Sequence, residues 1–192
     1  MELGLLSGLG LAAPAGLNAY IPLLAVSIAE AAHWIDLPKP YALIGEWWSI
    51  ALIAVLLLVE LLADKVPGVD HVNDVLQTVM RPAAGGLLMA ASMSRSGVDP
   101  AIWVFAGILV AGGVHVAKAA SRPVVNAATG GVGAPFVSAI EDVAAAVTTL
   151  LAFVAPVLVV VALAGIALML WRFWARRRRM LASNVQSEPP RA

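Results

Sequence analysis

The pattern of apolar and polar positions divides this chain into long uncharged stretches joined by short polar links. Residues 3–29 and 143–171 carry no charge. Segments 46–65 and 101–118 approach the roughly 20 apolar residues that a helix needs to cross a bilayer. Segment 70–94 is typical of a spanning helix, or of an amphipathic piece followed by a short half-helix. The pattern predicts an all-α polytopic integral membrane helical bundle with about six membrane elements.

Two places interrupt the helical pattern. The first is Pro14-Ala15-Gly16, after which Asn18 is well suited to cap a restarting helix. The second is the string TGGVGAP at 129–135, which contains Gly130 and Gly131 and would follow a discontinuous segment 122–133. A new helix is expected at Pro135. A rival arrangement has four full spans and two re-entrant hairpins, at 70–94 and 122–146.

Composition supports the membrane class. Hydrophobic residues make up 61% of the 192 residues and charged residues 12%, and the mean hydropathy is +0.90. A soluble domain of this length does not have such values. The formal charge of zero gives no reason to expect nucleic acid, and the absence of cysteine excludes disulfides and thiolate chemistry. We expect no cofactor.

The distribution of lysine and arginine predicts topology. With both termini inside, the basic run at 176–179 lies in the cytoplasm while Lys39 and Arg95 lie outside. Residues 1–175 would form the membrane domain, and 176–192 a basic cytoplasmic flank with a disordered tail. A cleaved signal peptide is not favoured, because Glu2 stands where a basic region would be expected.

Charged residues concentrate in two strings, 60–82 and 115–142, which lie against or inside apolar segments. A charge at the bilayer centre costs at least about 2.5–3.5 kcal/mol, so such groups normally face a partner or a wet cavity. Helical spacing places several of them on common faces. The candidate ion-binding or substrate-binding residues are Glu60, Asp64, Lys65, Asp70, Asp74, Arg81, His115, Lys118, Arg122, Ser138, Glu141 and Asp142. The structural alternative is that they only snorkel or hold helices together.

An internal repeat is one interpretation of these strings. Each contains a lysine at the end of an apolar span, Lys65 or Lys118, and then an Arg-Pro pair, Arg81-Pro82 in one string and Arg122-Pro123 in the other. Many transporters consist of duplicated units whose interrupted helices meet at the site. Chance similarity in a chain rich in alanine, glycine and valine explains the likeness equally well.

No metal or enzyme signature stands out. Asp64, Asp70 and Asp74 could offer oxygen ligands to Mg²⁺ or Ca²⁺, but their spacing matches no EF-hand loop. Hydrolase and nucleotide-binding motifs are absent, and the string around Lys118 and Arg122 lacks the rest of a lipid-phosphatase motif set. We therefore predict no metal site and do not favour a catalytic role.

The chain resembles the bacterial membrane-protein family catalogued as domain of unknown function 4126. The resemblance rests on GlyLeuAsnAlaTyr at 16–20, the acidic string from Glu60 to Asp70, the Arg81-Pro82 string, and the basic string from His115 followed by Ser138-x2-Glu141-Asp142. It covers most of residues 1–160. The family tends to Asn-Pro where this chain has Ala134-Pro135. Membership implies a multi-pass inner-membrane protein and carries over no activity.

These observations favour a protein that moves a small ion or small polar solute, with the two strings converging on one interior site. Glu60 and Asp64 are expected within reach of Lys118 or Arg122. His115 would be the proton-sensitive member, closest to the acids at 141 and 142. One alternative is a flippase-like handler of a phosphorylated lipid, held by Arg81 and Arg122.

A second alternative is a membrane scaffold that associates through a small-residue face at Gly107, Ala111 and Gly112. The expected partners are the lipid bilayer and an unknown ion or solute, with a homo-oligomer left open.

Overall fold

The computed structural model describes residues 4–63, 69–130, 132–156, 158, 161–162, 164–169, 171–172 and 175, with the backbone alone at 69–74, 126 and 134. Several predicted features lie outside the described residues: Asp64, Lys65, the side chains of Asp70 and Asp74, Gly131, and the tail 176–192.

The described chain is helical and contains no strand, which confirms the all-α prediction. Six α-helices follow one another: α1 (Leu5–Ala15), α2 (Tyr20–Ala31), α3 (Trp47–Ala63), α4 (Val69–Ser92), α5 (Pro100–Thr129) and α6 (Ala134–Val154). A short 3₁₀ helix, Tyr41–Gly45, precedes α3. Several described residues beyond Pro156 are also helical.

Helix α1 lies at the centre of the bundle. Eight of its 11 residues are buried, and it packs against α2, α4, α5 and α6. Its composition of Gly, Ala, Ser and Leu lets surrounding backbones come close, as small residues do where helices pack in lipid. Because other helices surround most of α1, it needs no polar face. This explains why α1 is apolar along its whole length.

Helices α4 and α5 cross at a pair of glycines. A Cβ added at Gly85 would lie 2.8 Å from the carbonyl oxygen of Gly107, and one at Gly107 would lie 2.7 Å from the carbonyl carbon of Gly85. Side chains are therefore excluded at both positions. Ala111, one turn beyond Gly107, is fully buried against this crossing and against Gly16. Part of the small-residue face predicted for assembly thus packs inside the protein.

The two helix interruptions lie where glycine and proline occur together. The chain leaves helix between Ala15 and Tyr20 and again between Thr129 and Ala134, where Gly130 has a positive φ of 61°. The restart at Pro135 is confirmed, because proline occupies the first turn of α6.

Neither Arg-Pro pair interrupts its helix, so that of the two arrangements predicted for 70–94 the structure has the continuous helix. Pro82 lies inside α4 and Pro123 lies inside α5, and both helices continue through them. The expected discontinuity from 122 onward is therefore wrong, and the interruption begins only after Thr129. A single proline removes one backbone donor, and neighbouring groups in a bundle can satisfy the carbonyl that it frees.

Two helices, Pro100–Thr129 and Pro135–Val154, are long and apolar enough to cross a membrane. Only 17% and 22% of their most apolar windows are buried inside the protein. Helices α1, α2 and α3 are apolar but shorter. Large apolar side chains, such as Phe105, Leu109, Val147 and Leu150, point outward from α5 and α6. Apolar side chains thus cover the outer faces of α5 and α6, while several charged side chains, among them Glu60, Arg81 and Lys118, are buried inside the protein.

A charged layer at the helix interruption

The interruption between α1 and α2 is held by one asparagine. Asn18 Oδ1 accepts hydrogen bonds from the backbone amides of Tyr20 and Ile21, at 3.1 and 3.2 Å. Asn18 Nδ2 donates to Asp142 Oδ1 of α6 at 3.0 Å. The predicted capping role of Asn18 is confirmed, because its carbonyl satisfies amides that the first turn of a helix leaves unpaired.

A buried lysine reaches the same interruption from α5. Lys118 Nζ donates to the backbone carbonyl of Leu17 at 2.9 Å. It also lies 2.9 Å from Glu141 Oε2 of α6. The lysine side chain is only 1% exposed and the glutamate side chain 13%. One ammonium group therefore joins α5, α6 and the unwound segment after α1.

A second buried ion pair joins α3 to α4. Arg81 Nη2 donates to Glu60 Oε1 at 2.9 Å, and the two side chains are 0% and 1% exposed. Charges removed so completely from water cost several kcal/mol each unless they are paired. The pair with Glu60 explains why Arg81 can be buried in the middle of α4, where the adjacent residues in the sequence are apolar.

His115 of α5 contacts this pair through Arg81. Arg81 Nη1 lies 3.1 Å from His115 Nδ1, and Thr78 Oγ1 lies 3.3 Å from Nε2. A guanidinium can only donate, so Nδ1 accepts and the ring proton is on Nε2. Nε2–H then donates to the threonine hydroxyl. The geometry therefore defines a neutral histidine in one tautomer.

Two further polar residues belong to this layer, and sequence reasoning missed them. The Tyr20 hydroxyl lies near the Gln77 side chain and near the charges of Glu60 and Arg81. Gln77 is 2% exposed, and its Oε1 has no hydrogen-bond partner among the described residues. Gln77 precedes Arg81 by one helical turn, and this i, i+4 spacing was the signal that could have identified it.

These groups lie partway along their helices, away from both ends of the bundle. The link after α2 and the link before α5 lie at the same end of the protein, because Arg95 Nη2 contacts Asp36 Oδ2 at 2.6 Å. At 1.5 Å per helical residue, Tyr20, Glu60, Arg81, His115 and Glu141 lie about 16–23 Å along their own helices from that end, and Lys118 lies about 27 Å along α5. We call these residues, with Asn18, Gln77 and Asp142, the charged layer.

The structure brings the two strings together, but with different partners from those predicted. Glu60 pairs with Arg81 of its own string and not with Lys118 or Arg122. Lys118 pairs with Glu141. The described contacts of His115 are to Arg81 and Thr78, and not to the acids at 141 and 142. The strings meet through the arginine–histidine contact.

Of the remaining candidates, Ser138 is fully buried one turn before Glu141, and Arg122 is half-buried one turn beyond Lys118. Within the described part of the chain, no three His, Asp or Glu side chains are grouped so that they could hold a metal ion. The layer instead offers paired charges, a neutral imidazole, and the amide oxygen of Gln77, which accepts no hydrogen bond from the described residues. Such an arrangement can bind or exchange a small charged or polar species.

Comparison with known proteins identifies the family of this chain but no individual relative. No curated protein matches the chain, and no solved structure matches it. The model of a family described as "Domain of unknown function (DUF4126)" matches residues 5–176, and that range contains every member of the charged layer. The resemblance predicted from the short motifs is thereby confirmed, and the chain belongs to the DUF4126 family.

Proposed function

We propose that this protein is a multi-pass membrane protein that moves a small ion or small polar solute through the charged layer. One observation carries the proposal: two buried ion pairs and a neutral histidine meet beside an interrupted helix, midway along the bundle. Transporters commonly bind their substrates near the bilayer midplane, where interrupted helices expose backbone groups.

The exterior supports a membrane setting. Apolar side chains of α3, α5 and α6 face outward, and the charged groups face inward. A hydrocarbon core is about 30 Å thick, so groups about 16–27 Å along helices that begin at one end of the bundle would lie inside that core and not at the surface of that end. An ionisable side chain at that depth is a functional candidate by default. The six-element topology with a cytoplasmic C-terminus is part of this proposal.

The pairing suggests how a charged species would pass. Each buried charge already has a partner, so an arriving ion must replace one member of a pair while the displaced group finds another. The His115 ring, lying between Arg81 and Thr78, and the Gln77 amide oxygen provide such alternative partners. Transport by this route is an exchange of partners and needs no open pore.

A flux assay in proteoliposomes tests the proposal. Purified protein would be reconstituted and screened for uptake of protons, sodium, potassium, chloride and phosphate against protein-free vesicles. We expect Glu60→Gln to lower the flux by about tenfold or more, because Arg81 would lose its counter-charge; tenfold equals about 1.4 kcal/mol on the barrier. The matched control is Asp36→Asn, which alters an exposed ion pair at the end of the protein.

Two outcomes would reject the proposal. One is the absence of flux for every solute with correctly folded, reconstituted protein. The other is equal flux in wild type and Glu60→Gln when both elute as the same monodisperse species. Loss of flux in Asp36→Asn as well would indicate general destabilisation and count against a specific role for Glu60.

Lipid handling is a second candidate, favoured by a separate observation. An apolar groove of about 540 Å³ lies between α2 and α6 and is lined by residues including Ala25, Ile28, Phe153 and Val154. Thr149 also lines it, and its buried hydroxyl has no hydrogen-bond partner among the described residues. An acyl chain would suit this groove. Arg81 is a weaker candidate for binding a lipid phosphate than the sequence suggested, because it already forms an ion pair with Glu60.

A lipid-scrambling assay separates the two candidates. Ala25→Phe would fill the groove without touching the charged layer, and Glu60→Gln would do the opposite. Lipid handling predicts that Ala25→Phe slows the movement of fluorescent phospholipids between leaflets, and ion movement predicts no effect of Ala25→Phe on ion flux.

A further inference from the structure

The apolar groove between α2 and α6 opens toward the outside of the bundle. Of the 11 described residues that line it, only Trp34 and Thr149 carry a polar side-chain atom. Leu150 and Val154, which also line it, are 64% and 75% exposed. The groove volume of about 540 Å³ lies within the range of about 300–1,000 Å³ that is typical of small-molecule sites. The groove is therefore suited to a slender apolar ligand.

The groove reaches one end of the bundle. Trp34 and Ile35 belong to the link after α2, which also contains Asp36 of the exposed ion pair. Trp34 is 72% exposed, and tryptophan is enriched where a bilayer meets water, because its ring is apolar and its N–H is polar. Thr149 lies five residues before the end of α6, or about 7.5 Å further in. A ligand in the groove would therefore extend from the membrane surface into the hydrocarbon.

Two adjacent threonines of α6 differ in the partners of their hydroxyl groups. The Thr148 hydroxyl donates to the backbone carbonyl of Ala144 at 2.6 Å, so its own helix satisfies it. The Thr149 hydroxyl is buried and has no hydrogen-bond partner among the described residues. A buried polar group without a partner is costly, and a threonine hydroxyl can rotate between staggered positions. A ligand that brings a hydrogen-bond acceptor to this part of the groove would satisfy it.

We propose that the groove holds one acyl chain of a phospholipid from the surrounding leaflet, and that the Thr149 hydroxyl donates to the ester carbonyl of that chain. The phosphate then remains near Trp34 at the membrane surface. The inference rests on the membrane setting of the proposed function, and not on the movement of an ion or solute. It describes a lipid that stays bound, whereas scrambling requires a lipid that passes through.

Two other occupants suit the groove less well. A free fatty acid would place a carboxylate beside Thr149, and burying that charge is costly where the described lining residues include no basic side chain. A helix of a second copy is about 10–12 Å wide with its side chains, so only a few of those side chains would enter a groove of this volume.

The test compares two phospholipids that differ only in the carbonyl. Delipidated full-length protein in detergent would be titrated with a phosphatidylglycerol whose chains are esters, and with the diether of the same headgroup and chain length. Native mass spectrometry counts the lipids that each chain retains. The tails are equally apolar in both lipids, so a preference reports the hydrogen bond. We expect wild type to retain one diester lipid about two- to tenfold more tightly than the diether.

Matched variants locate the site. Thr149→Val keeps the shape of the side chain and should remove the preference for the diester. Thr148→Val should keep the preference, because the Thr148 hydroxyl is bonded within α6. Ala25→Phe fills the groove and should abolish retention of both lipids. Ala139→Phe, at an exposed position of α6 outside the groove, should not.

Measurements on wild type alone can overturn the inference, whatever the folding of the variants. Equal retention of diester and diether would do so, and so would retention of neither. A wild-type dimer that Ala25→Phe dissociates would assign the groove to a second copy and overturn it as well. An equal loss of preference in Thr148→Val and Thr149→Val would also count against it. Because retention is measured without flux, this result and that of the flux assay are independent.

Discussion

At the scale of the residue, the molecule depends on where its few charges find partners. Glu60 and Arg81 are almost wholly buried, whereas Asp36 and Arg95 form an ion pair that is 78% and 42% exposed. The two pairs have the same chemistry in different surroundings. Removing one partner of a buried pair costs about 3–5 kcal/mol, and an exposed pair contributes about 0–1 kcal/mol.

This contrast gives a stability prediction. Arg81→Met should lower the free energy of unfolding by about 3–5 kcal/mol, because it leaves the Glu60 carboxylate buried without its counter-ion. The double variant Glu60→Met/Arg81→Met should recover much of that loss. Arg95→Met should change it by at most about 1 kcal/mol. Denaturant unfolding in detergent measures all three, and a double variant as unstable as Arg81→Met would contradict the assigned pair.

The tautomer of His115 is a second prediction at this scale. Because Arg81 can only donate to Nδ1, the ring should be neutral at pH 7 with its proton on Nε2. Nitrogen NMR of protein labelled at histidine distinguishes the two ring nitrogens, and the signal missing from His115→Gln identifies this residue. An imidazolium signal at pH 7 would show that the arginine contact is not formed.

Sequence reasoning identified charged residues that the structure brings together, but it did not identify their pairs. The charges of Arg81, His115 and Lys118 were conspicuous because their neighbours are apolar. Which acid each one meets depends on how α3, α4, α5 and α6 are rotated and packed, and no local spacing contains that information. The capping role of Asn18 was predictable, because the amides that its side chain binds lie only two and three residues further along the chain.

At the scale of the element, close backbone contact decides the packing. Helices α4 and α5 approach until Gly85 and Gly107 nearly touch. The sequence indicated the small-residue face but suggested a partner outside the chain, because a glycine-rich stripe looks the same whether it packs within one molecule or between two. The predicted break from residue 122 onward was wrong for a related reason. Whether a helix continues through a proline depends on the neighbouring helices that satisfy the freed backbone carbonyl.

The crossing predicts a strong difference between two glycines of α5. Gly107→Val should destabilise the protein by at least about 1–3 kcal/mol, since its side chain would collide with the backbone at Gly85. Gly113 has open space around it, so Gly113→Ala should be neutral or stabilise by up to about 1 kcal/mol. Thermal unfolding of both variants checks this. Equal effects would argue against the close crossing.

At the scale of the whole molecule, an exposed ion pair marks one end of the bundle. The Asp36–Arg95 contact joins the links that follow α2 and α4. The six-element topology predicts that both links lie on the side of the membrane opposite the C-terminus. The distribution of lysine and arginine along the sequence is the basis of this prediction.

Cysteine labelling tests this topology, because the natural chain has no cysteine. Single cysteines at Asp36, Arg95 and Ser183 would be treated with a membrane-impermeant maleimide in intact cells. We expect labelling of the first two and protection of the third until the cells are opened. Labelling of Asp36→Cys and Arg95→Cys from opposite sides would contradict both the topology and their contact.

The position of the paired charges partway along their helices limits how the bundle can move. A helix that slid along its axis by one turn would travel 5.4 Å and separate its charge from every partner in the layer at once. Rotation about the layer would keep those contacts while it opens the bundle at one end and closes it at the other. If the protein transports as proposed, we expect the smallest displacement at the charged layer and the largest in the apolar contacts on either side of it.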